Sequence, residues 1–370
     1  MKEKVLILFG GKSVEHDISI ITALQTRQFL PKEYDFLPVY VDRNGVWWIA
    51  ENAFDVKIYQ NFHKLAKNKK RVSVVMGEKT LFVEKRGRFV KYANVKAVLN
   101  CCHGHFGEDG IAQGVFEACE IAQTSCKHAS AALCMDKVFM KNVLEANRIP
   151  SPKYVYVNKC SYSENDVEKK AKKLGFPVVV KPANLGSSIG INVAKSASEL
   201  KKSIDFALNF DKKVLIELYV KNLKEFNCAC VKIQNELFVS SVAEVANKGE
   251  IFSFEDKYLS EKEKSVKVDA NLSKKIKTLT GKVYTLFDCQ GVVRVDFLYD
   301  TKDRVLYVNE VNSIPGALAF YLFKEIPFED LLRCLIVEAI RSEDEDKSFV
   351  KTFESRALDL FEKLEFSAKK

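Results

Sequence analysis

Residues 291–298 read GVVRVDFL and residues 305–312 read VLYVNEVN, and this pair of segments decides how the chain is built. Side chains two apart on a strand share a face, so Arg294 and Asp296 point one way while Val293, Val295 and Phe297 point the other. A polar turn over 300–303 brings the second segment back as a partner strand, with Glu310 and Asn312 on one face. If the two polar faces meet, two carboxylates and an amide oxygen converge. Such a hard-oxygen set suits Mg²⁺, which binds through carboxylates together with nucleotide phosphates. The competing reading is an exposed face of salt bridges, to which an Asn beside a Glu would add little.

Working outward, Asn312-Ser313-Ile314-Pro315-Gly316 follows the second strand. Its Pro-Gly dipeptide marks a tight turn, and a Gly316 N–H beside Arg294 would form an oxyanion hole; a simple connector is the alternative. Upstream, a β-branched strand over 176–181 runs into Lys181-Pro-Ala-Asn-Leu-Gly186-Ser187-Ser188-Ile-Gly190. Its glycines allow backbone N–H groups to turn toward an anion, the serines add hydroxyl donors and Lys181 adds a charge, so a phosphate site and a plain hairpin turn both fit.

At the start, Val5 to Phe9 is a short apolar run ended by Gly10-Gly11, as a buried parallel strand should be. A helix from Ser19 to Leu30 before Pro31, then a strand from Phe36 to Val41, predict a doubly wound α/β layer. Ligands bind beyond the carboxyl ends of such strands, which makes Glu15 a candidate partner for an ammonium group. Its other reading is a helix N-terminal carboxylate. Gly10-Gly11-Lys12-Ser13 is not a Walker A end, because Leu6 stands where that motif needs its first glycine. A further strand, Val95 to Cys101, leads into His103 to Gly110, a ligand-facing loop. The nearby Cys101, Cys102, His103, His105, Cys119, Cys126 and His128 match no zinc spacing. Residues 47–94 read as lysine-rich and irregular, with a hairpin over 80–90. Ala132 to Asn147 reads as one helix, and a new unit begins after Pro150. The charged tail carries Phe349, Phe353, Leu358 and Phe361 at a spacing that suits an amphipathic helix.

Composition agrees with a soluble, multi-domain α/β protein: 370 residues, 47% hydrophobic and 29% charged. The net charge of +9 is spread over lysine stretches without interleaved aromatics, which argues against nucleic acid. No apolar run is long enough to span a membrane, and the ten scattered cysteines show no paired framework. A reducing, cytoplasmic setting is expected.

The segments GGKSVEHDIS at Gly10, HGHFGEDG at His103, MDK at Met135, VVVKPANLGSSIG at Val178, EDKYLS at Glu255, VVRVDFL at Val292 and EVNSIPG at Glu310 together resemble the D-alanine–D-alanine ligase family of the ATP-grasp superfamily. They run in the family's order over nearly the whole chain. The resemblance implies an N-terminal α/β domain (1–131), a central lobe (132–217) and a C-terminal lobe (218–345) that grasp ATP, then a tail (346–370). It implies that ATP phosphorylates the carboxylate of one D-alanine and that the amine of a second displaces phosphate, for peptidoglycan synthesis. Two Mg²⁺ ions, with Mn²⁺ a substitute, and a homodimer come with the family.

Carried over by position, the resemblance makes Glu15 the holder of the first substrate's ammonium and Ser187 and Tyr258 its hydrogen-bonded partners. Arg294 and Gly316 become oxyanion stabilisers. Lys137, Lys181, Lys257, Glu217 and Glu225 become nucleotide contacts, His103 a substrate contact, and Asp296, Glu310 and Asn312 the metal ligands. Two departures stand out. Tyr321-Leu322 occupies the second-substrate position, where Ser-Leu is common. Glu217-Leu218 stands at the hinge, where Lys often follows Glu. Related vancomycin-resistance ligases that make D-alanyl-D-lactate lack the tyrosine found here at 258, so an amine nucleophile is expected over D-lactate. The rival readings are an ATP-grasp ligase with another acceptor, such as D-serine or D-lactate, and a nicotinamide-dependent oxidoreductase, which the missing GxGxxG disfavours.

Overall fold

The computed structural model describes residues 2–245 and 268–361. Three sheets follow one another along the chain.

The first is built from β1 (Lys4–Gly10), α1 (His16–Thr26), β2 (Asp35–Val41), β3 (Trp47–Ile49), the single turn α2 (Phe62–Leu65), β4 (Lys70–Val75), β5 (Glu78–Lys85), β6 (Arg88–Asn94), β7 (Ala97–Asn100), α3 (Ile111–Ala118) and β8 (Ala122–Gln123). The eight strands lie in the order β6-β5-β4-β3-β2-β1-β7-β8. β2-β1-β7-β8 is parallel, as expected of a doubly wound layer, and β3 to β6 continue it as an antiparallel meander. The segment 47–94, expected to be irregular, is therefore an ordered extension of the same sheet. β1 shows why it is central: Val5, Ile7 and Phe9 enter one core and Leu6 and Leu8 the other, so both faces are dry. α1 begins earlier than expected, at His16. It ends at Thr26, and a 3₁₀ turn over Arg27–Phe29 precedes extended Leu30, the conformation that Pro31 favours.

The second unit contains α4 (His128–Met135), α5 (Lys137–Ala146), β9 (Tyr154–Asn158), α6 (Glu164–Leu174), β10 (Val178–Pro182), β11 (Asn192–Ala194), α7 (Ala197–Ala207) and β12 (Lys213–Leu218), with strand order β11-β10-β12-β9. The single helix expected over 132–147 is two. Asp136 leaves helical geometry at ψ 101° and its carboxylate caps the Val138 and Phe139 N–H groups, which starts a new helix at Lys137.

The third comprises β13 (Leu223–Ile233), β14 (Glu236–Val245), α8 (Ala270–Leu286), β15 (Val293–Asp300), β16 (Val305–Asn312) and α9 (Phe328–Lys347), in the order β14-β13-β15-β16. α9 packs back on β7 and β8 of the first sheet as well as on β13. The tail does not continue this helix. Among the described residues of the tail, 357–361 form a further helical turn, and Phe349, Phe353, Leu358 and Phe361 are all exposed. No described helix is long and apolar enough to cross a membrane.

Candidate active site

β15 and β16 pair antiparallel with Arg294 opposite Asn312 and Asp296 opposite Glu310, so the two polar faces do meet. One residue, Asn309, is bulged between the pairs Asp296/Glu310 and Phe297/Val308. The bulge shifts the alternation, which is why Leu306 and Val308 are buried but so is Val311, and why Glu310 and Asn312 turn to the cleft. The Asp296 carboxylate is ringed by donors. Arg294 binds it through Nε (2.6 Å) and Nη2 (2.8 Å), Asn312 Nδ2 donates at 3.1 Å, and the Asn227 amide, across on β13, donates at 3.0 Å. The guanidinium thus supplies the positive charge that Asp296 requires in this state. Its Nη1 stands 3.5 Å from the Tyr321 hydroxyl.

Two clefts adjoin this face. The first has a volume of about 120 Å³ and is walled by Lys137, Lys181, Gly186, Glu217, Leu218, Glu225, Asp296 and Glu310, among others. The second, of about 50 Å³, is walled by Glu15, Glu108, Lys137, Gly186, Ser187, Arg294, Glu310 and Asn312. Lys137, Gly186 and Glu310 belong to both, so the two spaces meet at one wall. A larger groove of about 920 Å³ runs along the outer edge of β9. Its wall brings Glu145, Arg148, Lys153, Asp166 and Lys170 together but none of the residues above, so we place the site in the inner clefts.

The first cleft is lined by buried lysines. Lys137 Nζ donates to the Leu185 carbonyl at 2.7 Å and lies 3.7 Å from Glu310. Burial holds its pKa down, against the pull of Glu310. Lys181 Nζ is 2.5 Å from Glu217 Oε1 and donates to Asn309 at 3.2 Å. Burial works to protonate Glu217, but Lys141 and Lys181 overcome it and hold the carboxyl below its usual range.

In the second cleft the Ser187 hydroxyl donates to Glu15, which joins the loop after β10 to the first sheet. Ser187 and Ser188 both take positive φ (54° and 57°), so the loop joining antiparallel β10 and β11 is a special conformation rather than a plain hairpin turn. Gly186 and Gly104 give Glu15 its room: a Cβ at Gly186 would stand 2.9 Å from its carboxylate oxygens, and one at Gly104 2.6 Å from Oε2. Residue-by-residue reading passed over Glu108. It accepts from the N–H groups of Gly104 (2.7 Å) and Ile314 (3.1 Å), and burial, then the charge of Glu15, push its pKa up to about 8. The only sequence signal for it was its place in the loop after β7. His103 is buried beside it, with Nε2 2.8 Å from Thr22 Oγ1. Burial lowers its pKa to about 4, so it is neutral near pH 7.

Not every expected residue joins this wall. Gly316 opens the 3₁₀ turn Gly316–Leu322, and no acceptor for its N–H is found among the described residues. Leu322 is buried in the core with its carbonyl taken by the Ser241 hydroxyl, so its side chain does not face substrate. Lys257 and Tyr258 lie outside the described residues.

The donor set fits a hard divalent cation: two carboxylates at paired register positions and the Oδ1 of Asn312, whose Nδ2 is already committed to Asp296 and the Arg294 carbonyl. Among the described residues no group of three or more His, Cys, Asp or Glu could hold a metal by itself, so phosphate oxygens and water would complete the shell.

Comparison with known proteins gives the family. Residues 4–126 match the model of the D-Ala D-Ala ligase N-terminus and residues 143–332 that of its C-terminus. The D-alanine–D-alanine ligase of Thermosipho melanesiensis is 36% identical over 333 residues, 87% of this chain and 89% of its own length. That of Caldicellulosiruptor bescii is 32% identical over 367 residues, 94% of this chain and 98% of its own. Among solved structures, the VanG D-Ala:D-Ser ligase of Enterococcus faecalis aligns with a TM-score of 0.78 at 27% identity, covering 92% of this chain and all of its own. The Coxiella burnetii D-alanine-D-alanine ligase shares the fold at a TM-score of 0.79 and 22% identity, over 100% and 99% of the two chains. The chain belongs to the D-alanine–D-alanine ligase family, with the ATP-grasp fold that its three sheets describe.

Proposed function

We propose that this protein joins two D-alanines at the expense of ATP, through a D-alanyl phosphate, to supply D-alanyl-D-alanine for the cell wall. The observation that carries the reading is the shared wall of Lys137, Gly186 and Glu310, where a lysine-lined cleft meets a smaller one closed by a buried carboxylate. Nucleotide phosphates belong in the first space and an amino acid in the second, with the reacting atoms between them.

In this reading Glu15, fixed by Ser187, takes the ammonium of the first D-alanine. Its carboxylate oxygen attacks the γ-phosphorus and the bond to the β-phosphate oxygen breaks, releasing ADP. Lys137 and Lys181 offset the phosphate charge and hold it in line. The amine of the second D-alanine then attacks the acyl carbon, loses its proton, and phosphate departs. Arg294, whose Nε and Nη2 bind Asp296, and the Gly316 N–H stabilise the oxyanion. Asp296, Glu310 and Asn312 would hold Mg²⁺ ions, two by the family pattern or Mn²⁺ in their place, which when bound neutralise charge on the phosphate oxygens. Glu217, Glu225 and Lys257 contact the nucleotide, Tyr258 completes the triad with Glu15 and Ser187, and His103, Tyr321 and the Leu322 N–H face the substrates. Domains at 1–131, 132–217 and 218–345, a homodimer and a cytoplasmic location belong to the same reading.

ADP release by the purified chain tests it. Release is expected to require both D-alanine and Mg²⁺ and to yield D-alanyl-D-alanine. Release indifferent to D-alanine would overturn the assignment, and a preference for D-serine or D-lactate as second substrate would move the acceptor.

A further inference from the structure

We propose that Lys141 is a positioning residue that turns the Glu217 carboxylate to accept from the adenine amino group, and so selects adenine over guanine nucleotides. The inference rests on the ATP-dependent reading above.

Lys141 lies on α5 one turn after Lys137, but it lines neither inner cleft. Its side chain is 0% exposed. A lysine is almost never buried so fully unless it is paired, and here the pairing points to one group. Nζ stands 3.0 Å from Glu217 Oε2, donates to the Pro152 carbonyl at 3.3 Å and lies 5.5 Å from the Tyr154 ring centre. Lys141 therefore reaches the cleft only through Glu217.

Glu217 is 2% exposed and belongs to the cleft wall. On β12 it lies opposite Val179 of β10 and Tyr154 of β9, and its carboxylate is held by Lys181 on one oxygen and Lys141 on the other. Lys181 is on Oε1. Oε2 faces the Lys141 ammonium at 3.0 Å, and no second donor reaches it among the described residues. A carboxylate oxygen has two lone pairs, so one accepts from Lys141 while the other can accept a ligand N–H.

The wall therefore presents a donor, Lys181 Nζ, next to an anionic acceptor, Glu217 Oε2. Adenine offers the complement along one edge, with N7 as acceptor and the N6 amino group as donor. Guanine offers N7 and O6, two acceptors, and would set O6 against the carboxylate. That discrimination lasts only while Glu217 is ionised, because a protonated carboxyl could donate to O6. With two buried cations beside it Glu217 stays charged; without Lys141, only Lys181 opposes desolvation.

The test compares wild type, Lys141→Met, Lys141→Gln and Glu217→Gln as full-length proteins. D-alanine-dependent phosphate release is measured with ATP and with GTP, and the affinity for each nucleotide by calorimetry. Lys141→Met is expected to raise the ATP KM about tenfold and leave the D-alanine KM within about twofold. The ratio of kcat/KM for ATP over GTP should fall at least about tenfold. Glu217→Gln should lower that ratio similarly, and adding Lys141→Met to it should lower it no further. The ratio does not depend on the folded fraction, and Lys141→Gln keeps a polar side chain should the methionine prove unstable. An ATP/GTP ratio unchanged in both Lys141 variants, with wild-type turnover intact, overturns the proposal. If wild type does not turn over ATP with D-alanine, the ligase reading fails instead, and the calorimetric ATP/GTP preference decides the role of Lys141 by the same criterion.

Discussion

Glu15 is held between two glycines and receives the Ser187 hydroxyl, so its negative charge is oriented before any substrate arrives. A hydrogen bond to a buried charged group is worth about 1.5–3 kcal/mol. Ser187→Ala is therefore expected to raise the D-alanine KM by about ten- to a hundredfold, with a smaller effect on the ATP KM, as steady-state kinetics would show. Glu108 gives a second outcome, in stability. Its folded pKa, near 8, lies above the ordinary 4.5, so between those values the folded chain binds more protons than the unfolded one. Its contribution to stability is thus present at low pH and lost as pH rises through that window. His103, lowered from 6.5 to about 4, works in the opposite sense between those values. The pair should nearly cancel below pH 6.5 and lose stability between pH 6.5 and 8. Urea unfolding of wild type and Glu108→Gln across pH 5–8 separates the terms: the advantage of wild type should shrink as pH rises, and a constant difference would contradict the raised pKa.

At the scale of elements, β15 and β16 show what a sequence can disclose. The two-residue alternation was enough to set Arg294 with Asp296, and Glu310 with Asn312, on facing strands. Much of the rest depended on partners distant in the chain. Asn227 meets Asp296 only because β13 pairs with β15, and Lys141 gains a role only because β12 carries Glu217 beneath α5. The bulge at Asn309 was half visible, since the apolar positions 306, 308 and 311 already break parity. The break at Asp136 went unread because its helical neighbours outweigh one capping residue until the cap is seen. Two outcomes follow. Glu310→Gln keeps size and polarity at a partly exposed position, so unfolding should be within about 0.5 kcal/mol of wild type. Its kcat should fall by at least about a hundredfold if the carboxylate charge serves phosphoryl transfer, as comparable single polar deletions do. Asp136→Ala removes the α5 cap and the partner of Lys213, and should cost about 1–2 kcal/mol in urea unfolding. It should also raise the ATP KM, because Lys137 stands at the first residue of that helix. Wild-type stability in Asp136→Ala would show that the cap carries no weight.

Over the whole molecule, the site exists because all three units meet there, the first and third also sharing one hydrophobic core. Ser187 reaches Glu15 from the second unit to the first, the Ile314 N–H reaches Glu108 from the third to the first, and α9 rests on both β7–β8 and β13. The lysine-lined cleft, which we propose takes the nucleotide, lies between the second and third units, whereas the smaller cleft needs all three. A change that pushes the second unit from the first should therefore weaken the amino-acid site and spare the nucleotide. Gly186→Ala is such a change. Its backbone is not in the left-handed region, so alanine costs nothing locally, but the new methyl would meet both Glu15 oxygens at 2.9 Å. Glu15 cannot retreat freely, because Gly104 backs it at the distance of a missing side chain and Ser187 holds it in front. The loop must then move outward. The D-alanine KM should rise by about tenfold or more, while the calorimetric Kd for ATP, whose cleft the same loop lines on one side only, rises by a smaller factor. Equal losses for both ligands would mean that the loop serves the nucleotide as much as the amino acid, and that the division of labour between the two clefts is wrong.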